Sequence, residues 1–236
     1  DEQIRQAVES CGGLDSVAFR REYLCEILPD AAGLVVPAFD QEKHVIPDGK
    51  YAIKPGHYLL VGDIGGSRDK TAIHVMGISV INKITVVEEL IYEPRTDTKT
   101  IGEGIRKLLE RYTIQVSNCW MDAHGQTLID LDKFCGLTVS LPLKQDRDSA
   151  IRALNSAFYM EEIHVYNTCI HTIKNLRSGA WNTKHTDFQW SSDFGHNDAI
   201  MALVYGYRMR NNVAIPKHNP SLYESLLKRR ETEVSF

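Results

Sequence analysis

The stretch Tyr58-Leu59-Leu60-Val61-Gly62-Asp63-Ile64-Gly65-Gly66-Ser67-Arg68-Asp69-Lys70-Thr71-Ala72 decides how this chain is read, because an apolar run passes directly into an aspartate and a glycine-rich turn. A strand that delivers a carboxylate to the rim of a core places a charge where it is costly unless a cation or hydrogen-bond donor meets it. Gly65 and Gly66 allow positive φ or a close approach of the backbone to a ligand. Taken alone, the same letters also suit a β-turn with a solvated Asp63. Partners elsewhere in the chain decide between the two.

Working outward, residues 58–63, 71–79 and 83–92 are three strand-like runs rich in Val, Ile and Thr. Asn82-Lys83 sits between the last two as a tight turn, which predicts a three-strand antiparallel meander. A helix starting at Thr98 or Thr100 carries Ile101, Ile105, Leu108 and Leu109 on one face. Residues 114–121 predict a strand ending in Asp122, 125–134 a helix, 137–143 a short apolar strand, and 149–160 a helix built on Ile151, Leu154 and Phe158. Residues 163–166 read as strand, 169–176 as a short helix and 186–191 as one arm of a hairpin. A last helix begins near Asn197 or Asp198, with Ile200, Leu203, Val204 and Tyr207 on its apolar face. This order predicts an α/β fold, a mixed β-sheet in which the meander is joined by parallel strands through helical crossovers, flanked by helices.

Residues 1–50 read as a lead-in. Asp15-Ser16 caps a helix through Phe19, Tyr23, Leu24 and Ile27 that Pro29 stops, and 31–50 is connector with no sustained period. The main domain is expected over 51–212, followed by a tail over 213–236 with weak helical character and the basic run Lys228-Arg229-Arg230. With 236 residues, 43% of them hydrophobic, the chain is long enough for one well-buried domain with appendages. No apolar run approaches the roughly 20 residues of a membrane span, and the first residues lack the basic start and apolar segment of a signal peptide, so a soluble intracellular protein is expected. The five cysteines are odd in number and never in a C-x-x-C pair, which argues against a disulfide framework or a thiolate zinc site and for reduced, buried thiols. A net charge of -4 supplies no global attraction to nucleic acid, so any such binding needs a local basic surface.

Asp63 and Asp122 each end a strand after an apolar run. If those strands are parallel neighbours, both deliver their carboxylates to one sheet edge. Asp198 opens the last helix, and Asp193 lies five residues before it; for either one alone, a helix cap or macrodipole partner is the ordinary role. Three carboxylates at one rim repel each other and persist only when cations neutralise them, and oxygen ligands suit Mg²⁺ or Mn²⁺ better than Zn²⁺. Two such ions about 3.5–4 Å apart support in-line phosphodiester hydrolysis.

The order of elements and the carboxylate positions resemble the RNase H-like nuclease superfamily, and within it the nuclease domain of the large terminase subunit of tailed bacteriophages. Arg20-Arg21-Glu22-Tyr23-Leu24-Cys25-Glu26 is similar to the segment that follows the ATPase domain in that family. Val61-Gly62-Asp63 with its Gly-Gly turn and Asp69-Lys70-Thr71-Ala72, then Trp120-Met121-Asp122, then His196-Asn197-Asp198-Ala199, resemble its three nuclease motifs in their usual order, over roughly residues 15 to 210. The resemblance implies an endonuclease that cuts concatemeric double-stranded viral DNA during packaging, with Asp63, Asp122 and Asp198 as catalytic metal ligands for two Mg²⁺ or Mn²⁺ ions and Asp193 as an auxiliary acid. It implies a nuclease portion whose full-length relatives carry an N-terminal packaging ATPase and work with portal and small terminase subunit in the cytoplasm of the infected bacterial host. The Walker motif G-x-x-x-x-G-K-[ST] of that ATPase does not occur in this sequence.

Lys144, Arg147 and Arg152, with Lys174, Arg177, Lys184 and His185, supply either a basic rim for DNA phosphates or a solvated face, and Trp181 and Trp190 are interleaved with the later ones. His124 and His196 flank the acidic positions and suit either a ligand-orienting role or none. His164, Cys169 and His171 have soft-metal chemistry without a fourth ligand, which favours core and surface packing. Asp63-Ile64-Gly65 followed by Thr71 also looks like the phosphate loop of actin and sugar-kinase ATPases, but those need two domains and a second D-x-G motif. A DNA-binding clamp of the same fold without cleavage is the remaining alternative.

Overall fold

A short helix α1 (Gln41–His44), capped by Asp40, leads into the two-residue strand β1 (Val45–Ile46). The aliphatic and β-branched runs that follow form β2 (Pro55–Asp63), β3 (Thr71–Ser79) and β4 (Ile84–Tyr92), an antiparallel meander with the turn at Asn82, where φ is 62°. Asp97 caps α2 (Thr98–Arg111), its side chain accepting from the Thr100 amide. After β5 (Cys119–Asp122) come α3 (Gly125–Cys135), α4 (Arg147–Tyr159), β6 (Ile163–Tyr166), α5 (Ile170–Ser178) and α6 (Asp198–Met209). This computed structural model describes residues 33–51, 54–144, 146–182, 184, 187–189 and 197–213, together with 4, 5, 8 and 23.

The six strands lie in the order β1-β6-β4-β3-β2-β5, with β6 parallel to β1 and β4, and β5 parallel to β2. All nine residues of β3 are buried, so both faces of the sheet are covered at its centre. His74 and Met76 project toward α5 and α6; Ile73 and Val75 alternate to the other face, the one on which Leu90 and Tyr92 of β4 meet α2 at Gly104. The core is continuous across the sheet and holds Phe158, Leu154, Ile105 and Leu131 among its fully buried side chains.

Several expected elements take a different form. The strand expected over 114–121 is confined to Cys119–Asp122, because Val116–Asn118 closes a 3-10 turn in which the Asn118 amide donates to Gln115 O. Residues 137–143 do not form a strand. Only Ser140 bridges to Trp120, and Pro142, which has no amide hydrogen, prevents the ladder from continuing, so Leu141 and Leu143 stay exposed. The segment nonetheless lies along the outer edge of β5, with Met121 N donating to Ser140 O and Ser140 N to Cys119 O. Helix α4 starts at Arg147, two residues earlier than expected, because Asp146 in the left-handed region accepts from the Ser149 amide.

Where it is described, the stretch expected as connector is bound into the fold. Val35 and Val36 are buried, Leu34 bridges to Ala180, and β1 forms the sheet edge beside β6. Of the expected hairpin arm, Phe188 pairs with Trp181, while 186, 190 and 191 lie outside the described residues. Of the helix expected after Asp15-Ser16 through Phe19, Tyr23, Leu24 and Ile27, only Tyr23 is described, as an exposed turn residue, and the tail beyond 213 lies outside the described residues. Cys119, Cys135 and Cys169 are buried free thiols. No helix of the described residues is long and apolar enough to cross a membrane.

Candidate active site

The parallel register of β2 and β5 pairs Asp63 directly with Asp122. Ile64 N donates to Asp122 O at 2.7 Å, which keeps the two strands joined one residue past the carboxylates. Gly62 makes this approach possible, since a Cβ there would stand 2.7 Å from Met121 Sδ and 2.9 Å from Ile73 Cγ1. Gly65 has a related role. A Cβ on it would lie 2.2 Å from Asp69 O and 2.3 Å from Lys70 O, so its bareness lets the turn fold onto itself. Positive φ is not what Gly65 and Gly66 supply; among the described glycines that conformation belongs to Gly49 and Gly136. The folded turn carries Asp69 back to the same cleft as Asp63.

Asp198 arrives from the other direction. Helix α6 crosses β2 and β3 at close range, because Gly206 presents no side chain where a Cβ would be 2.2 Å from Met76 Sδ and 3.1 Å from Val61 Cγ2. The cap position of α6 belongs to Asn197, at φ 63°, so Asp198 is the first helical residue, not the cap. Its carboxylate gains from the helix dipole. It is nevertheless 5% exposed, and its Oδ2 has no hydrogen-bond partner among the described residues.

Asp63, Asp69, Asp122 and Asp198 thus line one cleft of about 390 Å³, with Lys144, Arg147, His124 and Asp187 around it. Burial first, then the charges of Asp198 and Asp122, hold the Asp63 carboxyl well above its usual range, with Lys144 working the other way. Burial and Asp69 push Asp198 up to about 7, opposed by a hydrogen bond from the backbone of Lys70. Asp122 is held on both oxygens: Tyr205 Oη donates to Oδ2 at 2.5 Å, and Lys144 Nζ stands 2.5 Å from Oδ1. Burial and that same hydrogen bond drive the Tyr205 phenol pKa upward.

An all-oxygen donor set, surplus negative charge and an unmatched buried oxygen fit a hard divalent cation of the Mg²⁺ or Mn²⁺ type. The carboxylates stand around the cleft, and among the described residues no three His, Cys, Asp or Glu side chains close on one liganding point. The Lys144 ammonium instead neutralises the open side of Asp122.

Of the six basic residues expected to contact DNA, Lys144 and Arg147 line the cleft; Arg152, Lys174, Arg177 and Lys184 do not. Arg147 Nη1 pairs with Asp187 Oδ1 at 3.0 Å, and its guanidinium lies 5.6 Å from the Phe188 ring and 5.9 Å from Trp181. Asp193 and His196, like His185 and Trp190, lie outside the described residues. His164 and Cys169 are absorbed by packing: His164 is buried and Cys169 Sγ donates to Val86 O, while the His171 amide donates to Glu89. Sequence reading missed Asp69 and Tyr205. The signal for Tyr205 was its spacing of two helical turns from Asp198, and for Asp69 the glycine turn that reverses the chain.

No family model matches this chain, and no curated protein matches it either. Solved structures do. The large terminase from a thermophilic bacteriophage matches with a TM-score of 0.60 at 19% identity, over 77% of this chain and 45% of that one. The phage P22 large terminase nuclease domain matches with a TM-score of 0.59 at 14% identity, over 77% of this chain and 94% of that one. The large terminase nuclease from the thermophilic phage G20c, solved with bound magnesium, matches with a TM-score of 0.54 at 14% identity, over 75% of this chain and 98% of that one. The same G20c nuclease has been solved with bound cobalt. The fold is therefore α/β of the RNase H-like class. More narrowly, it is a terminase nuclease-like fold, and the chain spans about half the length of the first of these large terminases and nearly all of the P22 and G20c nuclease domains.

Proposed function

We propose that this chain is a metal-dependent endonuclease that cleaves double-stranded viral DNA during genome packaging. The observation that carries this reading is the convergence of Asp63, Asp122 and Asp198 on one cleft from β2, β5 and α6. Asp63, Asp122 and Asp198 would hold two divalent ions, with Asp69 as a fourth carboxylate beside them. When bound, such ions supply the charge that activates water and stabilises the leaving oxygen of an in-line displacement. The chain's own residues do the remaining work. Lys144 and Arg147 meet phosphate oxygens at the cleft mouth, and the Phe188 and Trp181 rings hold the Arg147 fork in place. Burial first, then neighbouring carboxylates (Asp198 and Asp122 for Asp63, Asp69 for Asp198), makes both groups resist full ionisation until a cation offsets the negative charge.

The concatemeric substrate, the packaging ATPase, portal and small subunit as partners, and action in the infected host's cytoplasm all belong to this proposal. Its support is the likeness in fold to large terminases. Supercoiled plasmid incubated with Mg²⁺ or Mn²⁺ is expected to be nicked and linearised, and EDTA to stop it. Asp63→Ala, Asp122→Ala and Asp198→Ala are each expected to abolish cutting while the domain stays folded. A variant that cuts as fast as the parent removes that residue from the site, and DNA binding with no metal-dependent turnover would establish a clamp instead.

A further inference from the structure

Tyr205 comes from neither of the strands that bear Asp63 and Asp122, yet its hydroxyl reaches Asp122 Oδ2 at 2.5 Å from a ring only 6% exposed. The other oxygen, Oδ1, is met by Lys144, whose side chain is 57% exposed and free to leave. The two oxygens of Asp122 are thus treated differently: Oδ2 is tied by a buried donor, and Oδ1 meets an exposed lysine in the cleft that Asp122 and Lys144 both line. Helix α6 fixes the tie. Asp198 and Met201, at i and i+3, line the cleft, and Tyr205, at i+7 on the same stripe, reaches Asp122 of β5, while Gly206 seats the helix by letting it lie on Met76 and Val61. Asp198 and Tyr205 stand about 10.5 Å apart along the helix axis, given a rise of about 1.5 Å per residue. One rigid element therefore sets both its own carboxylate and the orientation of the carboxylate on β5.

We propose that Tyr205 is a positioning residue that keeps Asp122 Oδ1 directed into the cleft, so that an entering divalent cation displaces the Lys144 ammonium without the carboxylate having to rotate. This rests on the metal-dependent reading above. A carboxylate already fixed through one oxygen loses little rotational freedom when the other binds a cation, and partners of this kind typically change metal affinity by about 10–100-fold.

The test is Mn²⁺ binding to the DNA-free protein, followed by the electron paramagnetic resonance signal of free Mn²⁺. Tyr205→Phe removes one oxygen and nothing else. Its Mn²⁺ affinity is expected to fall about tenfold or more, with the metal-free melting temperature close to the parent's and with Tyr207→Phe, on the same helix, binding as the parent does. In the double variant, Tyr205→Phe is expected to add nothing to Asp122→Asn, because it acts through that residue. Parental affinity in Tyr205→Phe overturns the proposal, as does a collapse of its metal-free stability, which would make the hydroxyl a structural brace. If Asp122→Asn also keeps both Mn²⁺ binding and plasmid cleavage, the metal-dependent reading itself fails; if only Tyr205→Phe is silent, that reading stands and this inference falls.

Discussion

Asp198 combines 5% exposure with a carboxyl pushed up to about 7, and Asp63 is shifted in the same direction by burial and its acidic neighbours. The folded protein thus binds protons that the unfolded chain, with ordinary carboxylates, has already released. The raised values give stability that is fully present at low pH, below the unfolded pKa, and that is lost as pH rises toward the folded value. Metal-free protein is therefore expected to melt at lower temperature at pH 8 than at pH 5 as far as these two groups decide it. For Asp198 the loss is on the order of a few kcal/mol, at about 1.4 kcal/mol per pH unit. Asp198→Asn is expected to flatten that slope, which differential scanning calorimetry across pH measures. At the cleft mouth, Arg147→Ala is expected to weaken DNA binding evenly across sequences and to reduce the slope of log affinity against log salt by about one.

At the scale of elements, α5 is docked by a strand residue. Glu89 of β4 accepts from the His171 amide at 2.7 Å, the Thr172 amide at 2.8 Å and Thr172 Oγ1 at 2.7 Å, capping the helix from outside it. His74 completes the group through Thr172 Oγ1; burial lowers its pKa to about 3, so it stays neutral. Glu89→Ala is expected to cost about 2–3 kcal/mol in urea unfolding and to leave the cleavage rate per folded molecule unchanged. Gly206→Val in α6, by contrast, is expected to cost about 1–3 kcal/mol and to lower cleavage as well, since the clash with buried Met76 lifts the helix that carries Asp198 and Tyr205. Elements were legible where one local signal sufficed. Residues 71–79 form β3 with the expected bounds, because a run dominated by apolar and β-branched residues, all nine buried, reads as strand from local sequence alone. Residues 137–143 look equally apolar yet make a single bridge, because one proline outweighs the run's strand propensity.

For the whole molecule, a cation that binds the folded cleft and not the unfolded chain stabilises by mass action. Mn²⁺ at a hundred times its dissociation constant is expected to add about 2.7 kcal/mol, read as a rise in melting temperature that Asp122→Asn abolishes. The sequence by itself determined the α/β order, the meander and the strand-end and helix-start positions of Asp63, Asp122 and Asp198, because periodicity, β-branching and a carboxylate at the end of an apolar run are local properties of the chain. Only the tertiary structure decided that Asp63 and Asp122 stand in register, that Asp69 folds back beside them, and that Tyr205 and Lys144 take opposite oxygens of Asp122. Those relations depend on strand pairing and on how closely α6 lies on the sheet. Both are set by contacts between residues far apart in the chain, which the Asp198–Tyr205 spacing and the Gly65-Gly66 turn accompany but do not fix.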